Sequence, residues 1–495
     1  MTIRFKKESI ETVTTPVLVL PWFSGGKTQP AETMLVDKHL GQMLSRYAEE
    51  EHFEGKAAQT LLIRTDGKIG AARVILLGMG EKKKLTPEIV RQAAGTAMNC
   101  LKGAKTASAT IIFFGKGKTQ FESYATAMVE GLLLASYAFG RYKKEEGVPP
   151  EEVTIALADA ALVRLAEKIR PRAEALARAT IFARDLVNTP GAHLSPKELV
   201  EETRKLVEGV PQVEMEVFDK AQLTEMGAGG LLGVAQGSDH EPYLVHLTYK
   251  PKKASKQRIA LVGKAITFDS GGLSLKPTKY MLSMKCDMAG AAAVIGLFSI
   301  INELSPTVEV HGYFGACENM PSGKALRPGD VVTAMNGKTI EIHDTDAEGR
   351  VTLADVLTFA LKSEPTAIID LATLTGACLV ALGEEVVGVM GNDQKLIKMV
   401  MDSAQATGEK MWQLPLEEAY KRDLKSEIAD YKNLGSPWGG SVTAGLFLQE
   451  FVGGKPWAHL DIAGPAFAEK PINSYMKHGG TGWGVRTLAE VLRRI

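Results

Sequence analysis

Apolar positions along the chain fall into short dense runs separated by polar turns, and the runs form two sets. In residues 1–165, TPVLVLPWF (15–23), ARVILLGMG (72–80), SATIIFFGKG (108–117) and EVTIALAD (152–159) read as strands between Ala-rich helical stretches. Further on, RIALVGKAI (258–266), TVEVHGYFGA (307–316), TAIIDLA (366–372), VVGVMG (386–391) and WAHLDIA (457–463) read as strands buried on both faces. AGAAAVIGLFSIINEL (289–304) and VTLADVLTFALK (351–362) read as helices between them. This alternation predicts an α/β protein: a smaller N-terminal α/β domain followed by a C-terminal α/β sandwich with a mainly parallel, mixed central sheet. A helical pattern from Ala161 to Leu186 connects the two. The boundary is placed near 168, giving domains 1–168, including the start of the connector, and 169–495. The polar segment YKKEEGVPPEE (142–152) reads as a loop within the first domain.

Composition changes this picture little. With 495 residues the chain exceeds one ordinary core, and 45% hydrophobic with 23% charged residues is a globular balance. The 58 basic and 58 acidic side chains cancel, so no global field draws in nucleic acid or an anionic membrane, and PKKASKQR (251–258) reads as a solvated loop. Four scattered cysteines without a CxxC pair point to a reducing compartment and against thiolate zinc. The N-terminus has no apolar leader, and AGAAAVIGLFSII (289–301) is shorter than the roughly 20 residues of a membrane span, so a cytoplasmic protein is expected.

Candidate chemistry begins at HDTDAEGR (343–350). Asp346 and Glu348 are two apart, which in an extended segment puts both carboxylates on one face, where they repel unless exposed, protonated or bridged by a cation. Calcium is one reading, because Asp344, Asp346, Glu348, Gly349 and Asp355 match positions 1, 3, 5, 6 and 12 of an EF-hand loop. Against it stand the short Asp at position 12 and the Asn-Gly hairpin signal in TAMNGKTIEIH (333–343), where an entering helix is required. A second polar cluster, VGKAITFDSGGLSLKP (262–277), carries Lys264, Asp269 and Lys276, and MKCDMAGAAA (284–293) adds Asp287. The four charges of Asp269, Asp287, Asp346 and Glu348 match two divalent cations, and oxygen ligation suits Zn, Mn, Mg or Co. A serine-protease reading of DSGG (269–272), with Ser270 as nucleophile, conflicts with the helical content and lacks a partner His. GKGKT (115–119) and GAGGLLG (227–233) both miss the spacing of phosphate-binding loops.

These segments resemble the leucyl aminopeptidase, or cytosol aminopeptidase, family, whose NTDAEGR motif reads DTDAEGR here. The resemblance extends through VGKAITFDSGG, MKCDMAGAAA, DLATLTGA (370–377) and WAHLDIAG (457–464), and so spans most of residues 180–495. It implies a metal-dependent exopeptidase that releases leucine and other residues from the N-termini of peptides through a metal-bridged water. It further implies two divalent ions, Zn or Mn, on Lys264, Asp269, Asp287, Asp346 and Glu348, with Asp269 and Glu348 bridging. Lys276 and Arg350 would be the catalytic pair, Arg350 holding a bicarbonate, and Met284, Thr373 and Gly376 would line the substrate pocket. A homohexamer is implied as well. Asp344 in place of Asn and Ala265 in place of Gly depart from the family pattern without removing a ligand. Two readings compete: a two-metal phosphoesterase, and a DNA-binding architectural role like that of some bacterial members, which the neutral net charge disfavours.

Overall fold

The computed structural model describes residues 1–495 apart from 10–11, 26–28, 116–119 and 144–146. The tail of GKGKT and part of the 142–152 segment therefore lie outside the described residues. Two compact units form. The first is Met1–Arg178 with Pro471–Lys477, and the second is Ala179–Lys470 with His478–Ile495. The division falls ten residues beyond the expected position, inside the helix Ala160–Asn188.

The first unit holds a six-stranded sheet in the order Thr2–Lys7, Glu152–Leu157, Ser108–Ile112, Thr15–Ser24, Ala71–Glu81, Thr60–Arg64. All neighbours are parallel except the last, which is antiparallel. Two of these strands escape the apolar pattern. TIRFKK alternates buried and exposed positions, and TLLIR has one buried residue, as edge strands do.

The second unit is built on eight strands in the order Met411–Gln413, Val387–Gly391, Trp457–Asp461, Ala367–Ala372, Arg258–Asp269, Glu309–Asn319, Tyr243–Tyr249, Val213–Phe218. The four from Trp457–Asp461 to Glu309–Asn319 run parallel. Val387–Gly391, Tyr243–Tyr249 and Val213–Phe218 join antiparallel, which makes the sheet mixed. The Asn-Gly signal is realised as the hairpin Val331–Thr333/Thr339–Glu341.

Every residue of the helix Ala289–Phe298 is buried, and its small side chains have a steric reason: a Cβ on Gly290 would lie 2.1 Å from Leu371 O. Thr278–Phe298 has the length and hydropathy of a membrane span, contrary to the expectation from 289–301 alone. It is nevertheless broken into three short helical segments, and 72% of its apolar window is buried within the unit. Cys286, Cys317 and Cys378 are buried, Cys100 is half-buried, and all four are free thiols.

Candidate active site

Chemistry-bearing residues gather where the parallel strands end. In the 12-residue strand Arg258–Asp269, pairing with Ala367–Ala372 stops at Gly263↔Leu371, so Lys264 is the first residue past that pairing, and Asp269 closes the strand. Asp287 lies two residues before the buried helix Ala289–Phe298, and Glu348 opens the helix Glu348–Ala360. Asp346 and Glu348 do not share one face of an extended segment, as their spacing suggested. A turn and a helix start bring them together instead. Oxygens of Asp269, Asp346 and Glu348 lie within 4.8 Å of one another.

Two lysines thread this cluster. Lys264 Nζ donates to Asp287 Oδ1 at 2.7 Å and to Thr373 O at 3.0 Å, and lies 2.7 Å from Glu348 Oε1. Lys276 Nζ lies 2.9 Å from Asp269 Oδ2 and 2.5 Å from Asp346 Oδ1. Gly349 is required by the first of these, since a Cβ there would sit 2.5 Å from Lys264 Cε.

Two ammonium groups facing four carboxylates leave a charge deficit, and the titration shifts reflect it. Burial, then the neighbouring Glu348 charge, drives Asp269 up, and burial drives Asp287 well up. Burial together with the Asp269 charge takes Asp346 to about 7. For Glu348 burial opposes ionisation, but Lys264 and Lys276 prevail and its carboxyl stays below the usual value. Burial would lower both lysines, yet the carboxylates around them hold both above the ordinary range.

Among the described residues, the oxygens Asp287 Oδ2, Asp346 Oδ1 and Glu348 Oε1 are buried without a hydrogen bond of good geometry. Lysine ammoniums stand at ion-pair distance but outside hydrogen-bond angles. Hard oxygen donors crowded together and facing only two lysine ammoniums fit divalent cations.

Arg350 is buried two residues beyond Glu348. Its Nη1 donates to Asn433 O at 2.9 Å and its Nε has no hydrogen-bond partner among the described residues, while burial takes its pKa down to about 10. Thr373 joins the cluster by donating to Asp287 Oδ1 at 2.6 Å. Met284 is half-buried in the turn before Asp287, and Gly376 is exposed at the start of the helix Gly376–Leu382.

Several rivals end here. Ser270 is buried and donates to Asn319 O. Asp355, position 12 of the calcium reading, lies about 10 Å along the helix from Glu348 and accepts backbone N–H groups from Leu231 and Met335. Asp344 accepts the N–H of Asp346 at 2.9 Å and so shapes the turn.

Sequence reasoning missed two asparagines. Asn319 donates to Asp269 Oδ1 at 2.8 Å and to Thr345 O at 2.9 Å, tying a bridging candidate to the acidic loop. The Asn433 side chain accepts from His343 N at 2.8 Å and donates to Asp344 O at 2.6 Å. An isolated Asn more than 80 residues away carries no spacing signal; only the fold supplies it. Asn433→Ala is expected to lower kcat by about ten- to a hundredfold by loosening the loop that carries Asp346 and Glu348, which steady-state kinetics checks.

Comparison with known proteins then decides the family. Residues 181–489 match the model of the cytosol aminopeptidase family, catalytic domain, and residues 19–146 match that of its N-terminal domain. The chain belongs to the cytosol aminopeptidase family.

Relatives carrying the name "Probable cytosol aminopeptidase" include one from Gloeobacter violaceus, 42% identical with 95% of each chain covered. Another, from a Geobacter species, is 45% identical with 97% of each covered. Among solved structures, a mutant of tomato leucine aminopeptidase superposes with a TM-score of 0.91 at 35% identity, covering 100% of this chain and 97% of that one. The bottromycin maturation enzyme BotP in complex with Mn gives 0.85 at 34% identity, covering 97% and 99%. The chain is therefore a peptidase, a metal-dependent exopeptidase acting at N-termini. None of these matches favours the phosphoesterase or DNA-binding readings.

Proposed function

We propose that the enzyme releases leucine and other N-terminal residues from peptides with two divalent cations, Zn or Mn, held by Lys264, Asp269, Asp287, Asp346 and Glu348, with Asp269 and Glu348 shared between them. The observation that carries this reading is the set of buried, crowded carboxylate oxygens that face only two lysine ammoniums at the ends of the parallel strands. Cations bound there would supply a Lewis acid for the scissile carbonyl and acidify a water into a nucleophile at neutral pH. The manganese named in the BotP complex is consistent with this donor set.

Within that frame the chain's own groups divide the work. Lys276, held between Asp269 and Asp346, donates from Nζ to the oxyanion that forms at the scissile carbonyl. Arg350 would hold a planar oxyanion such as bicarbonate through its Nε, a shape that a guanidinium fork suits, and that anion would supply a proton shuttle between the water and the leaving amine. Lys264 acts as a ligand only once its ammonium has lost the proton that Asp287 and Glu348 now stabilise. Met284, Thr373 and Gly376 line the pocket for the N-terminal side chain. The family likeness supports the cytoplasm as location and the homohexamer as assembly.

Leucine anilide is expected to be cleaved, its N-acetyl derivative and nitrophenyl phosphate left intact, and the first activity lost on chelation and restored by Zn or Mn. Cleavage of the blocked substrate at a comparable rate would contradict the exopeptidase geometry.

A further inference from the structure

The outer strands of the second unit carry a cluster unrelated to the carboxylate site. Glu216 lies opposite His246 in the pairing of Val213–Phe218 with Tyr243–Tyr249, and Thr248 lies opposite His311 in the pairing with Glu309–Asn319. The two-residue period puts His246 with Thr248, and Glu309 with His311, on one face. His311 is eight residues from Asn319 at the carboxylate end of its strand, about 26 Å away.

The two imidazoles meet head to head, with ring centroids 5.2 Å apart and planes 23° apart, and the Tyr313 ring lies flat against His246. His246 Nδ1 is 2.8 Å from Glu216 Oε2, and His311 Nε2 is 2.9 Å from Glu309 Oε1. Ionised carboxylates only accept, so these outer nitrogens carry protons. The inner nitrogens, His246 Nε2 and His311 Nδ1, face each other at 2.9 Å, and Thr248 Oγ1 stands 3.0 and 3.4 Å from them. In neutral imidazoles both inner nitrogens are then lone pairs. The threonine hydroxyl has a single proton to offer, so one lone pair stays opposed to the other unless a cation lies between them. An extra proton is the first candidate, but burial, reinforced by the His246 charge, pushes His311 down to about 4, and burial lowers His246 as well.

We infer that His246 Nε2, His311 Nδ1 and Thr248 Oγ1 form a second metal site, for a zinc-like transition cation, that clasps the two adjacent strands Tyr243–Tyr249 and Glu309–Asn319. Imidazole nitrogens select Zn, Cu or Ni over Mg or Ca. Metal-bound histidines characteristically donate their other N–H to a carboxylate, and both rings do so here. Zn–N bonds of about 2.0–2.1 Å need the two nitrogens to part by a few tenths of an ångström. The Glu216 side chain, 62% exposed, leaves that side open to solvent for entry.

The test uses full-length protein stripped with chelator and dialysed against Zn2+, with ions counted per chain by plasma mass spectrometry. Wild type is expected to hold one ion more than His311→Ala or His246→Gln, while both variants keep leucine anilide turnover within about twofold. Copper-loaded wild type is expected to show electron-spin coupling to two nitrogens that both variants lose. Glu309→Gln, which keeps both rings, is expected to weaken zinc binding at this site at least tenfold and guards against a folding artefact. Equal zinc counts in wild type and both histidine variants, or a two-nitrogen signal persisting in His311→Ala, would overturn the assignment.

Discussion

Lys276→Ala is expected to lower kcat on leucine anilide by about a hundred- to a thousandfold while leaving the metal content intact. A single preorganised donor to a developing oxyanion is worth about 3–4 kcal/mol in a site that excludes water. Lys276 is largely buried and held between Asp269 and Asp346, so it is already positioned before substrate arrives. Removing it also removes a positive charge from beside those carboxylates, which favours cation binding. Lost turnover with retained metal therefore separates a role in the reaction from a role in metal assembly. A change of less than fivefold would remove Lys276 from the chemistry.

The second large effect concerns stability. Asp355→Ala is expected to cost about 2–6 kcal/mol, because two buried backbone N–H groups lose their acceptor and each such orphan costs about 1–3 kcal/mol. Asp355 is fully buried. Its Oδ2 accepts from Leu231 N at 2.8 Å and its Oδ1 from Met335 N at 2.7 Å, so it ties the helix Glu348–Ala360 to two distant segments. Burial also raises its carboxyl to about 7, against about 3.9 in the unfolded chain. The folded protein thus binds this proton more tightly. The stability it contributes is complete below about pH 4 and falls away as pH rises through 7. Denaturant unfolding of wild type and variant at pH 5 and pH 8 measures both the loss and its pH trend, and the gap is expected to be wider at pH 5.

How much of this was legible without coordinates varies from element to element. Strands such as Arg258–Asp269 and Glu309–Asn319 are buried on both faces, so their apolar runs announce them. Val213–Phe218 reads VEMEVF because only one face packs, and its charged alternate positions hide it. The acidic residues of DTDAEGR were visible as a cluster, but the way they converge was not. A helix start and a turn do what an extended strand was expected to do, and Asn433, from another segment, holds that turn in place. Lys264 had no local signal separating a metal ligand from an ion-paired lysine, and without a cation it is ion-paired. Pro471–Lys477 joins the first unit despite its position near the end of the chain, a long-range return that no local pattern encodes.

The most direct measurement is a titration of fully chelated enzyme with Zn2+ or Mn2+, following bound ions per chain and leucine anilide hydrolysis in the same samples. The account predicts no turnover without metal, activity that rises as the carboxylate site fills, and loss of that uptake in a Glu348→Ala variant. Full turnover by the metal-free protein, or undiminished uptake and activity in Glu348→Ala, would contradict it.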